Sequence, residues 1–472
     1  MVTRATTTAI KKFHEIYIMK RIEELRSRLA QIETSLLHID INIRQIYESY
    51  DAKKITPPIL YPRILFEEVR NWIDSMKLGI NEIDPSNYRE ISKKLEGLST
   101  DMKYAMDFLS NLQYLHDQRV SGLHNLKTIE YQPTLQSEYS MLNKVYNAVD
   151  ALSYELTCNI FGNERVNEMK YIPVSLFSGS YATQYFTRTT TPSSIITIPY
   201  YDCFRARFWT GLAHEIAHSW IALSLQENKS LAKYIDKEAN KLRKILFSDV
   251  SDPVMKYVLK YNLSLQLVEL VSDFISAYVC GPASIFAAFT MLNVTSQVDA
   301  NAINNILRES THPPIEIRIS GMQKILELLN LPSSYQHLDD AVSGAKLFLY
   351  GRHILEENFS SQIFDYREEV DIFASKIEAT LRRKKMVPFD NEKWNAVIDS
   401  IEDGAMDSLT PIQLMNAIWF RRLEKNVCDC NLDIEDFLCK RRDEKKLFEM
   451  TVHHMYRYYE DIVKRTSEYD YS

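Results

Sequence analysis

Apolar residues near the start of the chain recur at alternating spacings of three and four. They run from Ile22 to Tyr50, a pattern that is typical of coiled-coil helices. A similar run extends from Ile91 to Leu112, and the prolines between the two runs are expected to break the helix. The two predicted helices could pair as a projecting antiparallel arm. A helical bundle packed on the rest of the chain fits the pattern equally well.

The remaining chain alternates between one β-rich stretch and long helical patterns. A helix is predicted from Leu135 to Ile160, and a short strand from Ile195 to Ile198 within a stretch rich in Ser, Thr and β-branched residues. Helical periodicity then continues to about Asn330. The expected helix breaks are Gly281-Pro282, His312-Pro313-Pro314, Gly351, Pro388, Gly404 and Pro411.

Composition supports a mainly α fold with a small β-sheet. Glycine occurs only 11 times and proline 15 times in 472 residues, so turns are few. The pattern divides the chain into residues 1–134 (an N-terminal helical or coiled-coil arm), 135–330, and 331–472 (a C-terminal helical region).

Charge and cysteine usage narrow the class of protein. The net charge of −7 and the scattered basic runs argue against nucleic-acid binding. We expect no export signal and no membrane insertion, because the longest apolar run, from Phe274 to Leu292, is interrupted by Gly281-Pro282 and reads as a buried helix pair. Six scattered cysteines favour reduced thiols and a cytoplasmic location.

The segment with the clearest chemistry contains His-Glu-x-x-His on a helical pattern. Residues four apart share a helix face, so His214 and His218 can both offer a ring nitrogen to one Zn²⁺ ion. Glu215 projects beside that face, where it can take a proton from a water held by the metal. This pattern predicts a metal site with a general base.

Catalytic zinc requires a third protein ligand, and Glu269 is the candidate. It lies with Asp273 in an apolar helical stretch, where a buried carboxylate needs a cation or a donor. Asp273 is expected to accept the free N–H of a ligating histidine, most simply His214. The alternative is that both acids pair with lysines from the preceding helix, such as Lys256 or Lys260.

A third segment places His312 just before a helix that starts with proline. In a functional interpretation, His312 donates to the substrate carbonyl oxygen, and Arg318 pairs with a buried acid to hold the segment against the site. The alternative is a helix cap with a surface histidine.

Together, the His-Glu-x-x-His pentad, the downstream Glu-x-x-x-Asp and the His-Pro-Pro-x-x-x-Arg segment resemble the gluzincin metallopeptidases. They are most similar to the branch that contains the CAAX prenyl endopeptidase and the HtpX-type stress proteases. The resemblance covers roughly residues 194–330. It implies a zincin-like metallopeptidase core in residues 135–330, flanked by helical and coiled-coil regions.

The resemblance also implies a role for each matching residue. His214, His218 and Glu269 would bind zinc, Glu215 would act as general base and His312 would contact substrate. The implied protein is a soluble zinc-dependent peptidase acting on a peptide or protein, with the peptide extended along the edge of the strand from Ile195 to Ile198. Outside the resemblance, the coiled-coil pattern of the N-terminal arm leads us to expect that it serves a homo-oligomer or a protein partner.

Two other functions fit the same residues. One is a non-catalytic interaction or scaffold protein that contains zinc. The other is a metallohydrolase of a non-peptide amide.

Overall fold

The computed structural model describes residues 18–38, 60–82, 94–100, 103, 133–164, 166, 174–178, 182–185, 194–199, 205–206, 209–227, 229–293, 310–331, 361–403, 406–427 and 448–458. The long helices are α1 (Leu60–Asn81), α2 (Pro133–Phe161), α3 (Gly211–Glu227), α4 (Lys229–Leu246), α5 (Pro253–Cys280), α6 (Pro282–Asn293), α7 (Ile315–Leu328), α8 (Ser361–Arg383), α9 (Asn391–Asp403) and α10 (Pro411–Val427). The strands are β1 (Val174–Ser178), β2 (Ala182–Tyr185) and β3 (Ser194–Pro199). Helical residues also occupy 18–38, 94–100 and 448–458. The described part of the chain is mainly helical, which confirms the mainly α prediction.

Backbone contacts divide the chain into two units. The first comprises residues 1–143 with 188–190, and the second residues 144–187 with 191–472. The boundaries that the sequence suggests, after residues 134 and 330, stay predictions.

In the first unit, helical residues 18–38 lie antiparallel to α1. Lys77 contacts Glu33, and Arg26 donates to the side chain of Asn81. Because the earlier residue of one helix meets the later residue of the other, the two helices run in opposite directions. Both helices bury apolar residues that recur every three or four positions: Ile18, Ile22, Leu25, Leu29, Ile32, Leu36, Ile73, Met76 and Ile80.

The sequence did not predict α1. Of the prolines expected to break the helix, Pro57 and Pro58 lie outside the described residues, and Pro62 lies near the start of α1. Pro62 is the third residue of α1, in the first turn, where a missing N–H costs no helical hydrogen bond. Most of the second predicted coiled-coil run, from Ile91 to Leu112, lies outside the described residues.

The three strands form one small sheet in the order β1, β3, β2. Strand β3 pairs in parallel with β1 and antiparallel with β2, with Ile195 opposite Val174 and Thr197 opposite Ala182. Both edges of β3 are therefore hydrogen-bonded within the sheet. The expectation that a substrate lies along the Ile195–Ile198 strand is wrong, because that strand has no free edge.

Helix α5 is the central helix of the second unit. It contacts α3, α4, α6, α7, α8 and α10. It begins after Asp252, whose side chain accepts the N–H of Val254, and it ends before Gly281. Because α6 begins at Pro282, the long apolar run is two helices, as predicted.

By length and composition alone, α5 could also cross a membrane. Its most apolar 18-residue window has a mean hydropathy of 1.4, and 78% of that window is buried inside the protein. Buried core helices share these properties, and α5 is covered on several sides by other helices.

The C-terminal helices hold the end of α5 in place. Asn416 of α10 donates to the carbonyl of Cys280 and accepts the N–H of Ala283, at 2.8 and 3.0 Å. The N–H of Phe389 donates to the carbonyl of Tyr278 at 2.7 Å. These bonds satisfy backbone groups that the junction between α5 and α6 would otherwise leave unpaired.

We expect Gly281→Ala to destabilise the protein. Gly281 has φ 65° and ψ −148°, which is a conformation open essentially to glycine alone. An added Cβ would lie 2.4 Å from Cδ1 of Phe389. Phe389 is fully buried, so it has little room to move. Backbone strain and overpacking together should lower the free energy of unfolding by about 2–4 kcal/mol in a urea titration.

The control for this substitution is Gly97→Ala, where an added Cβ meets nothing within 4 Å. It should leave the unfolding free energy unchanged or raise it slightly. Equal stability of the two variants would contradict the geometry described for Gly281.

The burial of the Glu155 carboxyl group leads us to expect that the stability of the protein depends on pH. Burial raises the pKa of Glu155 to about 7, although its contacts with Thr410, the N–H of Ile412 and Lys393 oppose the shift. In the unfolded chain the same carboxyl group ionises near its ordinary value of 4.5. Between pH 4.5 and about pH 7, Glu155 therefore loses its proton in the unfolded state but keeps it in the folded state. Stability should therefore fall as the pH rises through this window, by on the order of 3 kcal/mol.

The variant Glu155→Gln keeps an acceptor for Ile412 and cannot ionise. In thermal unfolding we expect it to match the wild-type protein near pH 4 and to be clearly more stable at pH 8. Glu164→Gln, at an exposed glutamate nearby, should track the wild-type protein at both values. If the stabilities of Glu155→Gln and the wild-type protein differed by the same amount at every pH from 4 to 8, ionisation of Glu155 would not be the cause of the pH dependence.

Candidate metal centre

Helix α3 presents His214 and His218 from one side. Leu212 and Ile216 on the opposite side of α3 are fully buried, as are Ala213 and Ala217 between the two sides. The two imidazoles are partly buried on the side that packs against α5, with their planes at 85°. Their Nε2 atoms lie 3.1 Å apart.

Helix α5 brings Glu269 to the same point. Its Oε2 lies 3.2 Å from Nε2 of His214, and its Oε1 lies 3.6 Å from Nε2 of His218. One ligand atom from each of the three side chains falls within 4.8 Å of the other two. Among the described residues, this is the group of histidine, cysteine and acidic side chains that could hold a metal ion.

The hydrogen bond made by Nδ1 of each histidine determines whether its Nε2 atom can offer a lone pair to a metal ion. Nδ1 of His214 lies 2.9 Å from Oδ1 of Asp273 and donates to it. Nδ1 of His218 lies 3.2 Å from Oγ of Ser272, whose own hydroxyl donates to the carbonyl of Val268. When neutral, each imidazole therefore carries its proton on Nδ1, and its Nε2 lone pair is then directed at the shared point.

Glu269 adds a third unsatisfied electron-pair donor. Its Oε2 is buried, and Nε2 of His214, 3.2 Å away, can donate to it only when that ring is protonated. With both rings neutral, a buried acceptor without a donor lies beside two facing lone pairs, which is costly. A cation at this point would satisfy all three atoms at once.

The spacing of the ligand atoms suits a tetrahedral metal ion. An ion about 2.0–2.1 Å from two ring nitrogens holds them about 3.3 Å apart at the tetrahedral angle. The observed separation of 3.1 Å is close to that value. The cluster of His214, His218 and Glu269 could therefore hold a metal ion.

Asp273 connects the centre to α7. Its two carboxylate oxygens accept from Nε and Nη2 of Arg318 at 2.6 and 2.7 Å, a bidentate pair that is almost completely buried. Burial opposes the charge of Asp273, but Arg318 and His214 hold the pKa of its carboxyl group well below its usual range. Asp273 stays ionised and fixes the orientation of the His214 ring.

The charges of the protein alone favour a positive charge between the rings. Burial opposes protonation of His214, but Asp273 and Glu269 outweigh it and raise the pKa of His214 to about 10. Burial and the neighbouring His214 lower the pKa of His218 to about 4. Burial also opposes ionisation of Glu269, yet the three histidines around it lower its pKa to about 2. A metal ion binding here takes the place of one proton and meets an ionised carboxylate.

His312 and Glu215 lie beside this cluster. Nε2 of His312 is 3.6 Å from Oε2 of Glu269, and its side chain is 59% exposed. Its backbone N–H donates to Oγ of Ser310, and the N-cap of α7 is Pro314, so His312 does not cap the helix. Glu215 is partly buried on α3. Burial opposes the charge of Arg318, but Asp273 above all, with Glu269 and Glu215, raises the pKa of its guanidinium group.

Glu269 and Asp273 do not pair with Lys256 or Lys260, the alternative that the sequence left open. Lys260 forms its ion pair with Asp236 of α4, and Asp273 is paired with Arg318. Lys256 lies about 20 Å along the helix from Glu269, which is beyond the reach of its side chain.

Sequence reasoning missed two polar residues on α5 that complete the surroundings of the site. Ser272 orients His218, and Gln266, which is fully buried, donates to the carbonyl of Ser310 at 2.9 Å and so ties the His312 segment to α5. Their position in the sequence could have revealed them. The polar residues Gln266, Glu269, Ser272 and Asp273 recur at helical spacing in an otherwise apolar stretch.

Comparison of the chain with protein-family models, with curated proteins and with solved structures finds no match.

Loss of one ligand should abolish tight metal binding. We expect His218→Ala to lower the affinity for Zn²⁺ by at least about a hundred-fold, because removal of one of three ligands leaves an incomplete site. The measurement is zinc content by mass spectrometry after dialysis against a buffered zinc concentration. His453→Ala, at an exposed histidine on another helix, should retain wild-type zinc content. Equal zinc content in both variants would place the metal elsewhere.

Proposed function

We propose that the protein is a cytoplasmic zinc-dependent peptidase of the gluzincin type, with a zincin-like core. The single observation that carries the proposal is the convergence of His214, His218 and Glu269, whose ligand atoms all lie within 4.8 Å of one another. Support for the gluzincin type comes from the order of the ligands, two on one helix and an acid on the next long apolar helix. The reduced, buried thiols of Cys158 and Cys280 support the cytoplasmic location.

Zinc is the metal that this ligand set favours. Two imidazoles and one carboxylate are the protein ligands of a catalytic zinc site that keeps a fourth position for water or substrate. The exposed His312 lies on one side of Glu269, so that side is open to a substrate. Bound zinc would polarise the scissile carbonyl group and acidify a water molecule.

The chain's own residues supply the proton transfers and the orientation. Glu215 follows His214 on α3, next to the ligand face, and would accept the proton of the attacking water and pass it to the leaving amine. Asp273 and Arg318 keep the His214 ring fixed while charge changes in the site. His312 would donate to the carbonyl oxygen as negative charge develops there.

A peptide substrate would lie along β2. Strand β2 is at one end of the sheet, antiparallel to β3, and it contacts α3, which carries the two histidines. An end strand can accept an extended peptide as a further strand, whereas β3 cannot. This proposal replaces the β3 edge as the substrate path.

The first unit is proposed as a site for a protein partner or for a second copy of the chain. Its helices carry the long apolar repeats, while the candidate site lies in the second unit. Neither nucleic-acid binding nor membrane insertion is part of the proposal.

The decisive variant is Glu215→Gln. We expect it to retain zinc and to lose hydrolysis of a fluorescence-quenched peptide library by about a hundred-fold or more, because glutamine cannot accept the proton. Glu392→Gln, at an exposed glutamate at the start of α9, is the control and should keep wild-type activity. Full cleavage by Glu215→Gln would exclude Glu215 as the base.

The same experiment separates the other two functions. A non-catalytic zinc protein would hold zinc in the wild-type and variant forms and cleave nothing in either. A hydrolase of non-peptide amides would leave the peptide library intact, yet hydrolyse a panel of acylated amines in a way that depends on Glu215.

A further inference from the structure

Helix α5 carries an exposed apolar stripe, formed by Val254, Val258, Tyr261 and Leu265. Val254, Val258 and Tyr261 are 71%, 41% and 55% exposed, and Leu265 is partly exposed. Exposed side chains of this size are usual one at a time on a soluble protein, but three along a single helix face, continued by the partly exposed Leu265, suggest a contact surface.

The stripe leads directly to the metal centre. At 3.6 residues per turn, Val258 and Leu265 lie within about 40° of Glu269 around the helix axis, and Val254 and Tyr261 within about 80°. The residue spacing from Val254 to Glu269 is four, three, four and four, so the face is continuous. An apolar surface and a metal ligand therefore share one side of one helix.

We propose that this stripe binds apolar side chains of the polypeptide substrate on one side of the bond that is cleaved. The inference rests on the proposed peptidase function and adds the substrate class, which is an unfolded or extended segment rich in large apolar residues. The occupant is argued from the continuity of the stripe with the metal centre.

The dimensions fit an extended chain. Along the helix axis, Leu265 lies about 6 Å from Glu269, Tyr261 about 12 Å and Val254 about 22 Å. An extended peptide advances about 3.3 Å per residue, so these contacts fall about two, four and seven residues from the scissile bond. Alternate residues of such a peptide point to the same side, so the residues two and four from the bond can both meet the stripe, at Leu265 and Tyr261.

The charges beside the stripe disfavour an anionic membrane as the occupant. Lys256 and Lys260 each lie about 160° around the helix axis from Val258, on the side away from the stripe, and Lys260 is also paired with Asp236. Asp252 lies at the outer end of the stripe, where it caps α5. A surface that binds anionic lipid needs free cations beside its apolar residues.

The test measures binding separately from cleavage. The protein is the zinc-loaded Glu215→Gln variant, which should bind substrate without hydrolysing it. The probe is a fluorescein-labelled peptide of twelve residues with alternating leucine and serine, compared with a peptide in which glutamine replaces every leucine. We expect the leucine peptide to bind about ten-fold more tightly or better by fluorescence anisotropy.

Val258→Ser in that background should weaken the leucine peptide about ten-fold and leave the glutamine peptide unchanged, because one buried valine contact is lost. The matched control is Ile372→Ser on α8, another β-branched residue with the same exposure, 40% against 41%. It should change neither Kd by more than about two-fold. Tyr261→Ser is the second stripe variant, and thermal unfolding checks that each variant is folded.

Several results would overturn the proposal. One is equal affinity for the two peptides, and another is an equal effect of Val258→Ser and Ile372→Ser. A dimer that dissociates in Val258→Ser with unchanged peptide affinity would assign the stripe to a second copy of the chain. Loss of binding to phosphatidylserine vesicles with unchanged peptide affinity would assign it to a membrane.

The outcomes for the stripe and for the peptidase function are distinguishable. If the leucine peptide binds through the stripe but the wild-type protein cleaves no peptide, the peptidase function is wrong and the stripe remains a peptide-binding surface. If the wild-type protein cleaves peptides without regard to apolar residues, the function stands and the stripe proposal is wrong.

Discussion

The buried contact among Asp273, Arg318 and His214 is the interaction on which the site depends. One carboxylate holds a guanidinium from α7 in a bidentate pair and accepts the Nδ1 proton of a histidine from α3. An ionised acid in a core is tolerated only when it is paired and hydrogen-bonded on both oxygens. The same contact joins three helices and sets the tautomer of the ring, so the packing of the core and the direction of the His214 lone pair have a common cause.

Local rules in the sequence predicted the helical class and several element limits. The spacing of apolar residues predicted α2. The conformational preferences of glycine and proline predicted the helix breaks at Gly281-Pro282, Pro388, Gly404 and Pro411. Pro62 illustrates the limit of such rules, because sequence alone does not distinguish a proline in the first turn of a new helix from one that only ends the preceding helix. The order of strands in the sheet also lay beyond local reasoning, since which strand is central depends on long-range pairing.

Helical spacing brought attention to the three side chains that form the cluster. Two histidines four apart, and a carboxylate in an apolar stretch of a second helix, are constrained enough to be recognised without coordinates. Ser272 and Gln266 were missed because a serine or glutamine in a helix has many uses, and only the packing of α3 and of residue 310 against α5 reveals theirs. The apolar stripe of α5 was hidden for a related reason. Its residues look like core residues until their exposure is known.

The central claim is that one divalent ion binds among His214, His218 and Glu269, and anomalous diffraction at the zinc edge from crystals grown with zinc tests it most directly. The account predicts a single strong peak within about 2.0–2.2 Å of Nε2 of both histidines and of a carboxylate oxygen of Glu269. A crystal with full-strength zinc elsewhere and none at this point, or one in which Glu269 turns away from the two rings, would contradict it.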